Sequence, residues 1–308
     1  MAPSSRSLPP AAVTTARAIR RANPYVAVRS AVRRSRIRRD DRSILPDGYE
    51  RVLHHHVRKT AGTSLNAAFR ALGGPDAARA TGEDRLTTST SVAPTGPRPA
   101  PPPEPTSGPK GSSIRGNGLT FVTGAAQRID EGAYFFANSH IAAYVLHPPR
   151  HTFRLTILRN PASRLVSHYR YLRHVREHAI PDGPSDAELA WADGSFEQFV
   201  HTMPRRGRLR QLYMFSETFD VDQAVGRIAG LDAVLFTETY PDDLAALAHR
   251  LGLPLELRRE RSFSYSTDVS PEEVAAILPL LADELKLVEQ VARRLGRDPG
   301  PIVDLRAR

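Results

Sequence analysis

The chain has 308 residues, no cysteine and a formal net charge of +10 at pH 7. That length holds one large α/β domain or two small ones with ample core. The lack of cysteine excludes a disulfide scaffold, a thiol nucleophile and a cysteine-ligated metal.

The charge is unevenly placed. Residues 1–47 carry eleven arginines against Asp40, Asp41 and Asp47, so the rest of the chain is close to neutral. Ala12 to Arg21 and Val26 to Arg39 show weak helical patterns with Pro24 between them. The segment reads as a basic, solvated and disordered arm. It could also grip nucleic acid or acidic lipid, but Tyr25 is the only aromatic among its arginines, which argues against a base-stacking platform, and no nucleic-acid partner is expected. Arg17, Arg20 and Arg21 fall where a secretory apolar segment would lie. No apolar run reaches membrane-spanning length, because Asn138, Ser139 and His140 interrupt the stretch from Gly132 to Pro149. The expectation is a soluble, cytoplasmic protein without a transmembrane segment.

Val52 to Val57 suits a buried strand. Leu65, Phe69 and Leu72 then recur at helical spacing, and Gly73 stands where a helix end favours a left-handed residue. Between strand and helix lie Lys59, Thr60, Ala61, Gly62, Thr63 and Ser64, the chemistry of an anion cradle. Gly62 allows close backbone approach, the first helix amides carry partial positive charge, the hydroxyls donate, and Lys59 adds a mobile cation. Lys59, Lys110 and Lys286 are the only lysines in an arginine-using chain. A nucleotide-triphosphate loop would place glycine directly before the lysine, where this chain has Arg58, so a magnesium-dependent kinase is disfavoured.

Residues 73–118 hold nine prolines and eight glycines. Such a segment buries too little apolar surface to offset its ordering entropy, and it reads as a disordered insert within one domain spanning 48–300. Ala133 to Ala137 is a second strand, followed by Asn138-Ser139-His140 and a short helix from Ile141 to Leu146. Thr152 to Leu158 is a third strand ending in Arg159. Asn160 is a good N-cap and Pro161 a good first helical residue, and Leu165, Tyr169 and Leu172 make an apolar face. Helices follow at Ser195 to His201, Arg208 to Phe215 and Asp222 to Ile228. A fourth strand covers Asp232 to Phe236, and a helix runs from Pro241 to Leu251. Ser270 to Glu273 makes a capping box, and a last helix covers Leu280 to Leu295 beyond Pro279. Strands alternating with helices predict a parallel sheet, with ligands at the C-terminal strand ends.

His56-Val57-Arg58-Lys59-Thr60-Ala61-Gly62-Thr63-Ser64 resembles the 5′-phosphosulfate loop of sulfotransferases that use 3′-phosphoadenosine-5′-phosphosulfate (PAPS), carbohydrate type, with Arg58 where that branch usually has proline. Thr156 to Leu172, through Arg159, Asn160, Pro161, Arg164 and Ser167, resembles the 3′-phosphate motif of the same branch, with Asn160 in place of aspartate. Val234 to Tyr240 and Asp283 to Leu287 look like the family's later fold marks. The resemblance implies a P-loop-like α/β sheet flanked by helices and sulfuryl transfer from PAPS to a hydroxyl, of a sugar or glycan, without a metal. Lys59 and the loop to Ser64 would hold the 5′ side, and Arg159 and Ser167 the 3′-phosphate. Ser167 lies seven residues beyond the N-cap, nearly two turns on, so its hydroxyl returns to the face of the helix start.

Transfer needs a base for the acceptor hydroxyl and a cation near the bridging oxygen. Lys59 suits the second role, and the branch has a histidine base after the strand that His140 follows. His54, His55 and His56 are adjacent in a strand, so they alternate faces and cannot converge on one ion. Arg208, Arg210 and Gln211 are candidates for lining an acceptor groove. The alternative reading is a noncatalytic module that binds through the arginine-rich arm.

Overall fold

The computed structural model describes residues 45–75, 77–78, 112–178, 184–257 and 269–297. Almost all of the expected arm and most of the expected insert, residues 79–111, lie outside the described residues.

The chain enters on β1 (Arg51–His55), which is wholly buried, and turns into α1 (Gly62–Ala71). A hairpin follows: β2 (Ser112–Gly116) and β3 (Leu119–Thr123), antiparallel, with Asn117 and Gly118 both at positive φ in the turn. Asn-Gly is the turn that matches strand twist. Then come α2 (Ala126–Glu131), β4 (Phe136–Ser139), β5 (Thr152–Leu158) and α3 (Pro161–Glu177), the last capped by Asn160 accepting from the Ser163 amide. The helical run α4 (Asp186–Ala190), α5 (Phe196–Thr202), α6 (Arg205–Arg208), α7 (Arg210–Phe215) and α8 (Val221–Ala229) leads to β6 (Ala233–Phe236) and α9 (Tyr240–Leu251). The described chain ends on α10 (Pro271–Ile277), a 3₁₀ turn over Leu278–Leu281 where Pro279 breaks the ladder, and α11 (Ala282–Arg294).

The six strands form one mixed, mostly parallel sheet in the order β2-β3-β4-β1-β5-β6. Strand alternation splits the core. Val52, Leu155 and Ile157 pack with Leu65 and Phe69 of α1 and Leu244, Leu247 and Leu251 of α9. Leu158 and Phe236 join a larger cluster with Leu165 and Leu172 of α3, Phe196 and Phe199 of α5, Leu212 and Phe215 of α7 and Leu287 of α11. Among the described residues, no helix is long and apolar enough to cross a membrane.

Four expectations change. Ser112–Gly116 belongs to the sheet and not to an insert, and the Asn117 side-chain amide donates to the Leu72 carbonyl at 3.0 Å, which ties the hairpin turn to the end of α1. The second strand is Phe136–Ser139, displaced from 133–137, because polar Asn138 and Ser139 pair in register with buried His54 and His55. No helix covers Ile141 to Leu146, which forms turns. The helix expected from Arg208 breaks at Leu209, whose φ and ψ are −100° and 49°.

Candidate active site

The three segments singled out in the sequence meet at one edge. β1 pairs in parallel with β4 on one side and β5 on the other, so the lysine loop, His140 and Arg159 leave the C-terminal ends of three adjacent strands. Such an edge, where the chain turns to opposite sides of a central strand, is where α/β sheets take ligands.

The loop is built by its backbone. Lys59 and Ala61 both take left-handed φ, 68° and 62°, a conformation that costs non-glycine residues energy and concentrates at ligand sites. Ala61 is the N-cap of α1 and gives the first helix amides no side-chain cap, at a left-handed to right-handed step of the kind that suits an anion. Thr63 is exposed and Ser64 half-exposed, in keeping with hydroxyl donors. Thr60 differs: it is fully buried and its hydroxyl donates to the Val57 carbonyl at 2.9 Å, so it shapes the loop from within. Arg58 pairs with Glu188 of α4 at 2.5 Å.

Beneath α1 lies a stack of imidazoles. His54 and His56 rings are 4.9 Å apart, and His56 and His140 rings 4.3 Å. His55 points the other way, against Phe215. Among the described residues no group of three side chains gathers as metal ligands. Asn66 of α1 ties the stack together. Its amide oxygen accepts from His54 Nδ1 at 2.9 Å, and its amide nitrogen faces His56 Nδ1 at 3.3 Å.

Gly62 is needed for this contact, since a Cβ there would stand 2.1 Å from His56 Cδ2. Gly62→Ala is therefore expected to cost about 1–3 kcal/mol by overpacking, read as a lower urea midpoint. Truncating the ring in a His56→Ala, Gly62→Ala pair should recover part of that loss, since contacting sites are not additive.

His140 is solvent-exposed on one side, and its Nδ1 lies 2.7 Å from the His56 carbonyl. A carbonyl only accepts, so Nδ1 carries the proton and Nε2 holds the lone pair. The protein packed around the ring, then the Arg58 cation, lower its pKa below the ordinary value, so it is neutral at pH 7. Arg210 Nη2 donates to the His140 carbonyl at 2.7 Å and fixes the segment from behind.

Arg159 closes the edge. Its Nη1 donates to the Lys59 carbonyl at 3.1 Å, which joins the two sequence motifs directly. Its own backbone is clamped by Gln211, which accepts from the Arg159 amide at 2.8 Å and donates to its carbonyl at 2.9 Å. Gln211 is fully buried, so it sets Arg159 and does not line a groove. Arg208 likewise turns inward, to the Val200 carbonyl at 3.2 Å. Behind Gln211, Glu284 of α11 accepts from the Gln211 and Leu212 amides and pairs with Arg164 of α3 at 3.3 Å. Burial pushes the Glu284 carboxyl up, while Arg164 and those amides pull it down. In the sequence Glu284 shows only as part of a fold mark, and neither it nor Asn66 carries a local signal of its role at this edge. Ser167 sits half-exposed on α3, beside His168, which is buried against Phe199.

No protein-family model matches the chain, and no curated protein does.

Proposed function

We propose that the protein is a sulfotransferase that moves a sulfuryl group from PAPS to a hydroxyl, with a sugar or glycan as the acceptor class, and that its sheet is a P-loop-like, single-domain variant. The observation that carries the reading is the meeting of the lysine loop, His140 and Arg159 on three adjacent parallel strand ends. The N-terminus of α1 without a side-chain cap and the left-handed step before it fit an anionic group.

In this reading the donor supplies an activated sulfur, whose bond to the phosphate oxygen breaks as its bond to the acceptor oxygen forms. The α1 amides, Thr63 and Ser64 hold the 5′ side. Arg159 and Ser167 hold the 3′-phosphate. Lys59 places its ammonium against the charge that builds on the leaving oxygen. His140 Nε2, already unprotonated, receives the acceptor's proton.

Calorimetry with adenosine 3′,5′-bisphosphate in the presence of a chelator tests this. Binding is expected without magnesium. Arg159→Ala should weaken it by about ten- to a hundredfold, the worth of one charge-assisted hydrogen bond. Because Arg159 also braces the Lys59 carbonyl, Ser167→Ala is the variant that isolates the 3′-phosphate: adenosine 5′-phosphosulfate should bind it as it binds wild type. Absence of magnesium-independent binding to the wild-type chain would remove the basis for the enzyme.

A further inference from the structure

Lys59 is held at both ends by the segment that follows β5. Its carbonyl accepts from Arg159, and its Nζ stands 4.2 Å over the centroid of the Tyr171 ring. Tyr171 lies on α3 between Arg170 and buried Leu172, half-buried and packed against the large apolar cluster. The ring is thus fixed by the fold, whereas a lysine side chain has a flexible four-carbon stem whose ordering is costly. A π face within about 6 Å attracts an ammonium electrostatically without neutralising it. A carboxylate in the same place would bind the cation more tightly and cancel its charge.

We propose that Tyr171 is a positioning residue for Lys59. Its ring holds the ammonium beside the loop before the donor binds, and its weak, uncharged grip lets the ammonium move onto the leaving oxygen as charge develops there. The two sequence motifs are then one device, with Arg159 setting the backbone of Lys59 and Tyr171 its charge. This rests on the catalytic role proposed for Lys59.

The test has a readout that does not depend on turnover. Brief exposure of the full chain to limiting N-hydroxysuccinimidyl acetate acylates accessible amines, and peptide mass spectrometry compares Lys59 with exposed Lys286 on α11 as internal reference. Tyr171→Leu should raise labelling of Lys59 relative to Lys286 by about two- to fivefold, the range a partly exposed cation–π contact supports. Tyr171→Phe, which keeps the ring, should match wild type. In turnover assays, Tyr171→Leu should lower kcat by a similar factor with the KM for PAPS within about twofold, and Phe should restore it.

Unchanged labelling in Tyr171→Leu overturns the proposal, as does Tyr171→Phe behaving like the leucine variant. If Tyr171→Leu fails to fold, Tyr171→Trp decides: a stronger π face should leave Lys59 labelling at or below the wild-type level, and a rise overturns the proposal. Should the chain show no sulfuryl transfer at all, the labelling result still stands or falls alone, which separates this inference from the enzymatic reading.

Discussion

Lys59→Ala is expected to lower sulfuryl turnover by about a hundredfold or more, the usual cost of removing one group that stabilises transition-state charge. The loss should come from charge and not from the loop. The loop is held by backbone and neighbouring groups that the substitution leaves in place: Arg159 on the Lys59 carbonyl, and the Thr60 hydroxyl on the Val57 carbonyl. The left-handed φ of 68° is already borne by a residue with a Cβ, so alanine adds no strain there. The melting temperature should therefore stay close to wild type, while adenosine 3′,5′-bisphosphate, whose 5′-phosphate carries the leaving oxygen, should bind more weakly. Lys59→Arg keeps the charge but replaces a compact, mobile ammonium with a rigid fork, and should recover only part of the rate. Turnover within threefold of wild type in the alanine variant would take Lys59 out of the site.

Mild acid is expected to unfold the protein. Burial lowers the His54 pKa to about 4 and the His55 pKa to about 3, from an ordinary 6.5. Between the folded and unfolded values, the unfolded chain binds more protons, so stability is lost as pH falls below 6.5. From pH 7 to pH 5 each ring accounts for about 2 kcal/mol, or about 4 kcal/mol together. Burial also lowers His56 and His168 well below the usual range, which adds in the same direction. Total stabilities of folded domains are only about 5–15 kcal/mol. Urea melts at pH 7, 6 and 5 should show a steeply falling midpoint. His55→Phe, which keeps an aromatic ring against Phe215, removes one of these titrations and should flatten the fall. A midpoint that stays level to pH 5 would mean that the rings take up protons without leaving the folded state.

Much of the sheet was legible because its central strands are apolar and β-rich. Thr152 to Leu158 is bounded as its composition suggests, and β1 and β6 are displaced by a residue or two at their ends. β4 was harder, since Asn138 and Ser139 look like loop residues and become strand only through pairing with His54 and His55. That pairing is long-range and leaves no local trace. The β2–β3 hairpin is hidden by the proline- and glycine-rich composition before it, although Asn117-Gly118 between Ile114 and Leu119 is by itself a hairpin signal. At the site, Lys59, His140 and Arg159 stood out because each follows a strand. Gln211 and Glu284 did not, because a buried glutamine or glutamate shows its purpose only when its partners are in view.

The contact between the end of α1 and the hairpin has a consequence for how such a chain can grow. Gly73 and Gly116 approach so closely that a Cβ on Gly116 would stand 2.2 Å from the Gly73 carbonyl oxygen, and Asn117 closes the same point onto Leu72. The backbone thus forms a neck, held by this close approach and by the Asn117 bond to the Leu72 carbonyl. For a flexible chain closed at such a neck, each doubling of length adds only about 0.6 kcal/mol of closure entropy. Gly116 pairs with Leu119 at the start of β3, which runs parallel to β4, so the neck sits at the end of the sheet opposite the strand ends that lead to Lys59, His140 and Arg159.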